Sequence, residues 1–490
     1  MGDQREPCTC PLGGNTKNIK NGEGRKMDKL KEECGIVGIY NKDKLKTSEI
    51  IYTGLYMLQH RGQESAGIAI AGKQDKIIVH KGMGLVSEVF DSFVLNTLEG
   101  DIGIGHVRYS TAGGSGVENA QPVVLKYMKG NLAVAHNGNL VNTNDLREEL
   151  QKMGFVFQST TDTEVMAALL AREHIKNESL EESLLEVLKL ISGAYSIVIM
   201  AENKLIAVRD PNGIRPLCLG KIGDSYVVVS ESVALNPIGA EFIRDIEPGE
   251  IVVIDESGLK SINFKEDKKT ALCVFEHVYF ARPDSKIDGQ SVYSARLEAG
   301  RQLAIENKIN ADIVIGVPDS GIPSAIGYSR ESGIPYSEGF IKNRYIGRTF
   351  IQPSQFLREK SVKLKLSALE EQVSGKRVIM IDDSIVRGTT SKKIVNLLKE
   401  AGATEVHVLI SSPPVKYSCY LGVDTPEREN LIANTHSIEE IRKEIEADSL
   451  AFLSIDGLRN APCKSKLGFC MACFDGNYPV EIKDKNTKKC

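Results

Sequence analysis

The hydrophobic texture of the chain changes once, near residue 270, and the two textures demand different sheets. Before that point, short β-like runs separated by Gly and Asn turns follow one another: GIVGIY, AGIAIAG, KIIVHKG, DIGIGHVRYS, NLAVAHNGNL, YSIVIMAE, KLIAVRD, SYVVVSES and EIVVIDESG. Helical periodicity interrupts them at Ser48–His60, Asn144–Met153, Asp162–Lys176 and Leu180–Ile191. Runs of strands with helices grouped between them predict two packed antiparallel sheets with helical outer layers, spanning residues 34–270. After the charged stretch NFKEDKKT the pattern becomes strand and helix in alternation, through ADIVIGVP, RVIMIDDS, TSKKIVNLLKEAG and EVHVLISSPP. Near-continuous aliphatic strands between amphipathic helices predict a doubly wound parallel sheet in residues 271–490.

A chain of 490 residues exceeds the size at which one hydrophobic core keeps growing, so a two-domain reading suits the length as well. Residues 1–33 are rich in Gly, Asn, Lys and Glu and poor in aliphatics, and they read as a disordered leader. The net charge is -4, from 61 basic and 65 acidic residues without a basic stripe or an acidic tail, so nucleic acid is not the expected partner. No apolar run approaches the ~20 residues of a membrane span, and no apolar segment marks the N-terminus for export. A cytoplasmic protein is expected. In that reducing compartment the ten cysteines are to be weighed as buried, metal-ligating or catalytic rather than as a disulfide framework.

The most specific stretch is VIMIDDSIVRGTTSKK, Val378 to Lys393. An apolar strand delivers Asp382 and Asp383 to its carboxyl end, where ligands collect in open parallel sheets. The SIVRGTT that follows opens a helix, and its N–H groups and hydroxyls suit a phosphate at the positive end of that helix. The paired acids would then face ribose hydroxyls; a solvated acidic turn is the alternative. Neither the G-x-G-x-x-G spacing nor a GK[ST] ending is present, so the nucleotide motifs fail.

This stretch resembles the phosphoribosyl pyrophosphate signature of type I phosphoribosyltransferases. The resemblance implies that Asp382 and Asp383 bind the ribose and its Mg²⁺, and that Ser384, Arg387, Gly388, Thr389 and Thr390 hold the 5′-phosphate. VPDSG, Val317 to Gly321, resembles that family's pyrophosphate loop, with Ser320 a contact of the metal site. The basic segment GFIKNRYIGRTFIQPSQFLREKSVKLKL resembles its mobile lid, which implies that Lys342, Arg344 and Arg348 neutralise the departing pyrophosphate. For each of those three side chains a solvated loop is the competing reading.

In the first half, Cys34 stands before the strand GIVGIY, and alone it is weak evidence, because free cysteine is among the most buried residue types. HRGQESAG, GHVRYST, HNGNL and TDTE each put polar groups at strand ends or turns, where sites are usually built. Together with Cys34 they resemble, in order and spacing, the glutaminase domain of N-terminal-nucleophile amidotransferases, a four-layer αββα fold. That resemblance implies that the leader is clipped before Cys34 and that the freed α-amino group becomes the general base for its thiol. It also implies that Asn137 and the N–H of Gly138 form an oxyanion hole, that Arg108 clamps the glutamine α-carboxylate, that Asp162 takes the α-ammonium, and that Arg61 and Gly62 line the pocket. His106 and His136 are expected to be structural, since the chemistry already has its base. Asp162 has a second reading as a helix cap. The leader is longer than is usual in that family and carries a CTC of its own at Cys8 to Cys10; a start at Met27 would leave seven residues ahead of Cys34.

Cys470 and Cys473 form a C-x-x-C, and Cys273 and Cys419 stand singly before it. Four thiolates suit either tetrahedral Zn²⁺ or a cubane cluster. The four positions match the ligands of the iron–sulfur branch of glutamine phosphoribosylpyrophosphate amidotransferases, which implies one structural [4Fe–4S] cluster per subunit; Cys463 is not expected to join it. Both halves together resemble that family, with coverage from Cys34 to about Tyr478. The implied reaction converts glutamine, phosphoribosyl pyrophosphate and water to 5-phosphoribosylamine, glutamate and pyrophosphate, with one Mg²⁺ per subunit. A homotetramer and feedback inhibition by AMP and GMP are implied as well. Tyr279 and Arg282, on the bridging segment CVFEHVYFARPDS, are expected to couple the halves, with Tyr279 near substrate. The rival readings are an amidotransferase with another synthase half, a salvage phosphoribosyltransferase, and a non-enzymatic sensor of purine nucleotides.

Overall fold

In the computed structural model, residues 34–72, 76–109, 114–201, 203–264, 269–343 and 366–482 are described. The leader 1–33 and the lid residues Arg344 and Arg348 lie outside the described residues.

The first half folds as two antiparallel sheets face to face. One has seven strands in the order Glu241–Asp245, Cys218–Ile222, Ser225–Val229, Gly35–Tyr40, Ile102–Arg108, Ser65–Ala71 and Ile77–Met83. The other has six, in the order Gly258–Asn263, Glu250–Asp255, Lys204–Arg209, Gly193–Ala201, Gly130–Leu140 and Val123–Tyr127. Side chains alternate between the two faces of each strand. In Gly35–Tyr40, Ile36 turns inward to meet Ala133, Val198 and Leu205, while Val37 and Ile39 turn outward onto Ile51 and Leu55 of the Thr47–Met57 helix. The helices Asp162–Lys176 and Leu180–Leu190 cover the opposite sheet in the same way, through Val165, Leu169, Leu184 and Val187. The result is the four-layer αββα arrangement expected from the sequence.

Four strands fall outside the β-like runs named from the sequence: Val123–Tyr127, Cys218–Ile222, Glu241–Asp245 and Gly258–Asn263. Three of them are sheet edges. Partners on one side alone keep an edge ordered, so its residues need not be β-branched or apolar, and Glu241–Asp245 is largely exposed.

The second half carries four parallel strands in the order Ile313–Gly316, Arg377–Asp382, Glu405–Ile410 and Ser449–Phe452. A parallel bridge joins Val314 to Tyr336 on the outer side of the first of these. Strand order therefore reverses between Ile313–Gly316 and Arg377–Asp382, and a crevice forms at the carboxyl ends of strands that flank such a reversal. One face of the sheet packs Val314, Ile379, Ile381 and Leu409 against Phe275, Leu303 and Tyr328, and the other packs Ile315, Met380 and Val408 against Ile394, Val395 and Leu398. The first of these cores also takes in Ala194 and Ile214 of the N-terminal half, so the halves share a hydrophobic interior.

Two buried imidazoles inside this framework have no acidic hydrogen-bond partner among the described residues. Burial pushes His106 down to about 3 and His277 down to about 4, from the usual 6.5. Above pH 6.5 both are neutral folded or unfolded and contribute nothing. As pH falls below 6.5 the unfolded chain takes up protons that the folded chain refuses, so stability falls, and this continues to about pH 4 for His277 and lower for His106. At pH 5 the two together are expected to lower stability by about 4 kcal/mol relative to pH 7.5. Denaturant midpoints across that interval measure it; a flat profile contradicts the assignment.

Candidate active site

Cys34 immediately precedes its strand, with its side chain buried and Sγ donating to the Tyr109 carbonyl at 3.7 Å. Its own carbonyl accepts from Arg61 Nε at 3.2 Å. Asn137 and Gly138, the residues expected to form the oxyanion hole, lie on the facing sheet, in the Gly130–Leu140 strand. Asn137 is 1% exposed, yet neither its Oδ1 nor its Nδ2 has a hydrogen-bond partner among the described residues. An unsatisfied buried amide costs about 1–3 kcal/mol per group, which marks the carboxamide as held in reserve for a ligand. Gly138 has φ +143°, and a Cβ there would lie 2.0 Å from the Ala194 carbonyl, so no other residue fits.

His106 ties the sheets together at this point. Its Nε2 donates to the His136 carbonyl at 3.1 Å, the residue before Asn137. That role is structural, as the sequence implied. His136 Nδ1 in turn faces Asp162 Oδ1 at 3.4 Å, and Asp162 Oδ2 accepts from the Leu140 N–H at 3.1 Å. Burial raises the Asp162 carboxyl, but His136 and these N–H groups outweigh it and hold the group below its usual range. The helix-cap reading of Asp162 is overturned: Thr161 is the N-cap, its hydroxyl accepting from Glu164 N, because the hydroxyl one residue earlier meets the free N–H groups first. Arg108 ends its strand, buried, and donates to Glu64 Oε1 at 3.5 Å and to the Gly114 carbonyl at 3.3 Å.

The structure revises Arg61. The resemblance assigns its side chain to the pocket lining, whereas its guanidinium is buried beneath Cys34, donating to Glu231 at 2.5 Å and to Glu276 at 3.0 and 2.7 Å. Gly62 lies flat against the backbone of Val107 and Arg108. Burial penalises the Glu231 carboxyl, but His60 and Arg61 hold it well below the usual range. Removing one member of such a buried network typically costs about 3–5 kcal/mol.

Sequence reasoning missed Glu231, Glu276 and a third contact. Asn139 Nδ2 donates to the Tyr420 carbonyl at 2.8 Å, and Arg215 donates to the Leu421 carbonyl. A Cβ on Gly422 would come within 3.3 Å of Gly138 Cα, so a loop of the second half lies directly against the Gly130–Leu140 strand of the first. The one available signal was an acid, Glu276, inside the apolar run CVFEHVYF. Of the residues expected to couple the halves, Arg282 pairs at the surface with Asp284 and its N–H donates to Glu231, and Tyr279 packs edge-on to Phe280.

At the sheet reversal, Asp382 and Asp383 are both 1% exposed. Asp383 Oδ2 accepts from Ser320 Oγ and its Oδ1 from Ser384 Oγ, each at 2.5 Å, so the VPDSG loop and the acidic pair form one site. Gly388, at φ +82°, turns the chain into the Thr389–Glu400 helix, whose first residues are Thr389 and Thr390. Arg387 stands beside that turn with a buried Nε that has no partner among the described residues. A half-exposed Lys342 pairs with Asp319 across the mouth of a cleft lined also by Gly316, Pro318 and Tyr336. The cation, the helix terminus and the hydroxyls suit a phosphorylated ligand.

Cys273, Cys419, Cys470 and Cys473 line one small cavity together with Ile214, Phe275 and Leu421. Cys273 and Cys470 are register partners in a short parallel pairing, whereas Cys463 is exposed and apart. Burial pushes the Cys470 thiol up to about 12, and burial with the neighbouring thiols raises Cys473 well above its usual value. Among the described residues no group of three His, Cys, Asp or Glu is arranged to hold a metal ion. Four thiols around a common cavity suit, once deprotonated, either a tetrahedral ion or a cubane cluster. No helix among the described residues is long and apolar enough to cross a membrane.

Residues 106–237 match the family described as glutamine amidotransferase domain, and residues 295–417 the family described as phosphoribosyl transferase domain. The amidophosphoribosyltransferase of Bacillus subtilis (strain 168) is 51% identical over 458 residues, covering 92% of this chain and 95% of that protein. That of Archaeoglobus fulgidus is 50% identical over 451 residues, covering 92% and 98%. Among solved structures, glutamine phosphoribosylpyrophosphate amidotransferase from B. subtilis complexed with ADP and GMP superposes with a TM-score of 0.86 at 49% identity, covering 93% of this chain and 99% of that one. With both half-sites and nearly the full length matched, the chain belongs to the amidophosphoribosyltransferase family.

Proposed function

We infer that this enzyme transfers the amide nitrogen of glutamine to phosphoribosyl pyrophosphate, giving 5-phosphoribosylamine, glutamate and pyrophosphate, the entry reaction of purine synthesis. The observation that carries this reading is the contact of the Tyr420–Gly422 loop, which belongs to the sugar-phosphate half, with the oxyanion strand of the glutaminase half.

The α-amino group of Cys34, freed by removal of the leader, takes the thiol proton. The thiolate attacks the glutamine side-chain carbonyl carbon, and Asn137 Nδ2 and the Gly138 N–H hold the oxyanion. The C–N bond breaks, the amine proton passes to the departing ammonia, and water then hydrolyses the thioester to glutamate. Arg108 and Asp162 bind the α-carboxylate and α-ammonium of the substrate. In the second site Asp382 and Asp383 orient the ribose, while Ser384, Arg387 and the N–H groups of Gly388 to Thr390 bind the 5′-phosphate. Ammonia attacks C1 as the bond to pyrophosphate breaks, with Lys342 beside the leaving group. Asp382, Asp383 and Ser320 would hold a Mg²⁺ at this site, which when bound would supply charge neutralisation for the departing pyrophosphate.

Stoichiometry tests the reading. Glutamate and pyrophosphate are expected to appear in equal amounts, with no pyrophosphate released when glutamine and ammonium are both omitted; independent release of the two products would refute it.

In this reading Cys273, Cys419, Cys470 and Cys473 would hold a [4Fe–4S] cluster, which when bound would supply a structural tie between the segments that carry them. Purified protein is expected to carry about four iron atoms per chain and to lose them in Cys473→Ala, with a lowered melting temperature. Zinc at one equivalent would instead select a tetrahedral site. Assembly as a homotetramer and inhibition by AMP and GMP belong to the same reading, the latter supported by the ADP and GMP bound in the B. subtilis relative.

A further inference from the structure

Beneath the nucleophile lie four charges that are fully buried: Arg61 and Arg215, Glu231 and Glu276. Three of them belong to the glutaminase half, and Glu276 comes from the turn Glu276–Phe280 that begins the second half. Its two oxygens receive NH1 and NH2 of Arg61 at 3.0 and 2.7 Å. A guanidinium is planar and rigid, so a carboxylate that takes two of its donors also fixes the direction of the third. The third donor here is Nε, and it points at the Cys34 carbonyl at 3.2 Å. The turn that bears Glu276 is itself pinned. Arg296, buried on the Val292–Glu306 helix, donates through Nε to the His277 carbonyl at 2.7 Å and through NH2 to the Ala281 carbonyl at 2.8 Å.

A buried ion pair is weak evidence for stability, since packed apolar groups serve that end as well. Fixed geometry is what a charged fork adds. Building on the assignment of Cys34 as the nucleophile, we propose that Glu276, supplied by the sugar-phosphate half, is a positioning residue of the glutaminase site, acting through Arg61 to orient the backbone of Cys34. An amide in place of the carboxylate offers one acceptor rather than two. The guanidinium can then turn further toward Glu231, and the Cys34 carbonyl loses the Arg61 Nε donor. Displacements on the order of 1 Å at a reacting group cost about a hundredfold in rate.

The test is Glu276→Gln in the full holoenzyme, with three readouts. Glutamine-dependent synthesis is expected to lose kcat by about thirtyfold while KM for glutamine changes by less than about threefold. Alkylation of Cys34 by iodoacetamide, followed by peptide mass mapping, is expected to slow about tenfold, because thiol and base are no longer aligned. Ammonium-dependent synthesis is expected to stay within about twofold of the parent, since the carboxylate of Glu276 pairs with Arg61 and Arg215 on the glutaminase side. Parental alkylation and kcat would overturn the proposal, and so would a parallel fall of the ammonium-dependent reaction, which marks a general structural role. Should Glu276→Gln fail to fold, Glu276→Asp keeps the charge, withdraws the carboxylate by about 1.5 Å, and is judged by the same readouts. Failure of the glutaminase assignment itself shows separately, as undiminished glutamine turnover in Cys34→Ser with Glu276 intact.

Discussion

Cys34→Ser is expected to lower glutamine-dependent synthesis by roughly a thousandfold or more while leaving ammonium-dependent synthesis at the parental rate. A hydroxyl is far less acidic than a thiol, and an amine with a reference pKa of about 7.7–8.0 cannot take its proton with useful frequency. The substitution is nearly isosteric at a buried position, so the fold is not the variable. The reaction at the sugar-phosphate site needs only neutral ammonia, which alkaline ammonium salts supply without the thiol. Assay of both nitrogen sources at pH 8.5 separates the outcomes. Retained glutamine turnover removes Cys34 from the mechanism; loss of both reactions shows damage beyond the thiol. Asn137→Ala follows the same pattern with a smaller effect, about 10²–10³ in kcat, because a lone oxyanion donor is lost while the nucleophile remains.

The sequence was most informative where function is local. Asp382, Asp383 and the turn at Gly388 adjoin along the chain, and a strand followed by a phosphate-suited helix start is written in a dozen residues. Ser320 was legible through its own short loop, and the structure adds its hydrogen bond to Asp383. Asn137 and Gly138 were legible from HNGNL, although their meaning comes from what surrounds them: a carboxamide without partners and a backbone with no room for a Cβ.

What escaped detection is long in sequence separation. Glu231 and Glu276 lie 170 and 215 residues from the Arg61 they pair with, and the Tyr420 carbonyl lies 281 residues from Asn139. Nothing in the residues around them announces such a partner, because a glutamate in a strand or a turn is ordinarily solvated. Arg61 was assigned to a pocket for the related reason that its neighbours in HRGQESAG are polar. Its burial follows from two acids that no local pattern reveals. The capping of the Asp162–Lys176 helix failed by one residue, as boundaries commonly do when two capping types adjoin.

The complementary expectation concerns the other site. Asp383→Asn is expected to lower glutamine-dependent and ammonium-dependent synthesis together, by roughly 10²–10³, with Cys34 still alkylated by iodoacetamide at the parental rate. The carboxylate is 1% exposed and spends both oxygens on hydroxyls, Ser320 on one side and Ser384 on the other. Those two contacts hold the pyrophosphate loop and the phosphate loop at a fixed separation. An asparagine accepts through one oxygen and presents an N–H₂ where the other hydroxyl donates, so one loop is released. It also removes a negative charge from the place where the proposed site would receive the ribose hydroxyls and a cation, and that loss would fall on every nitrogen source alike. Pyrophosphate release with ammonium as sole donor is the measurement. A variant that retains it would show that Asp383 only braces the loops, and the acid required by the ribose would then have to be Asp382.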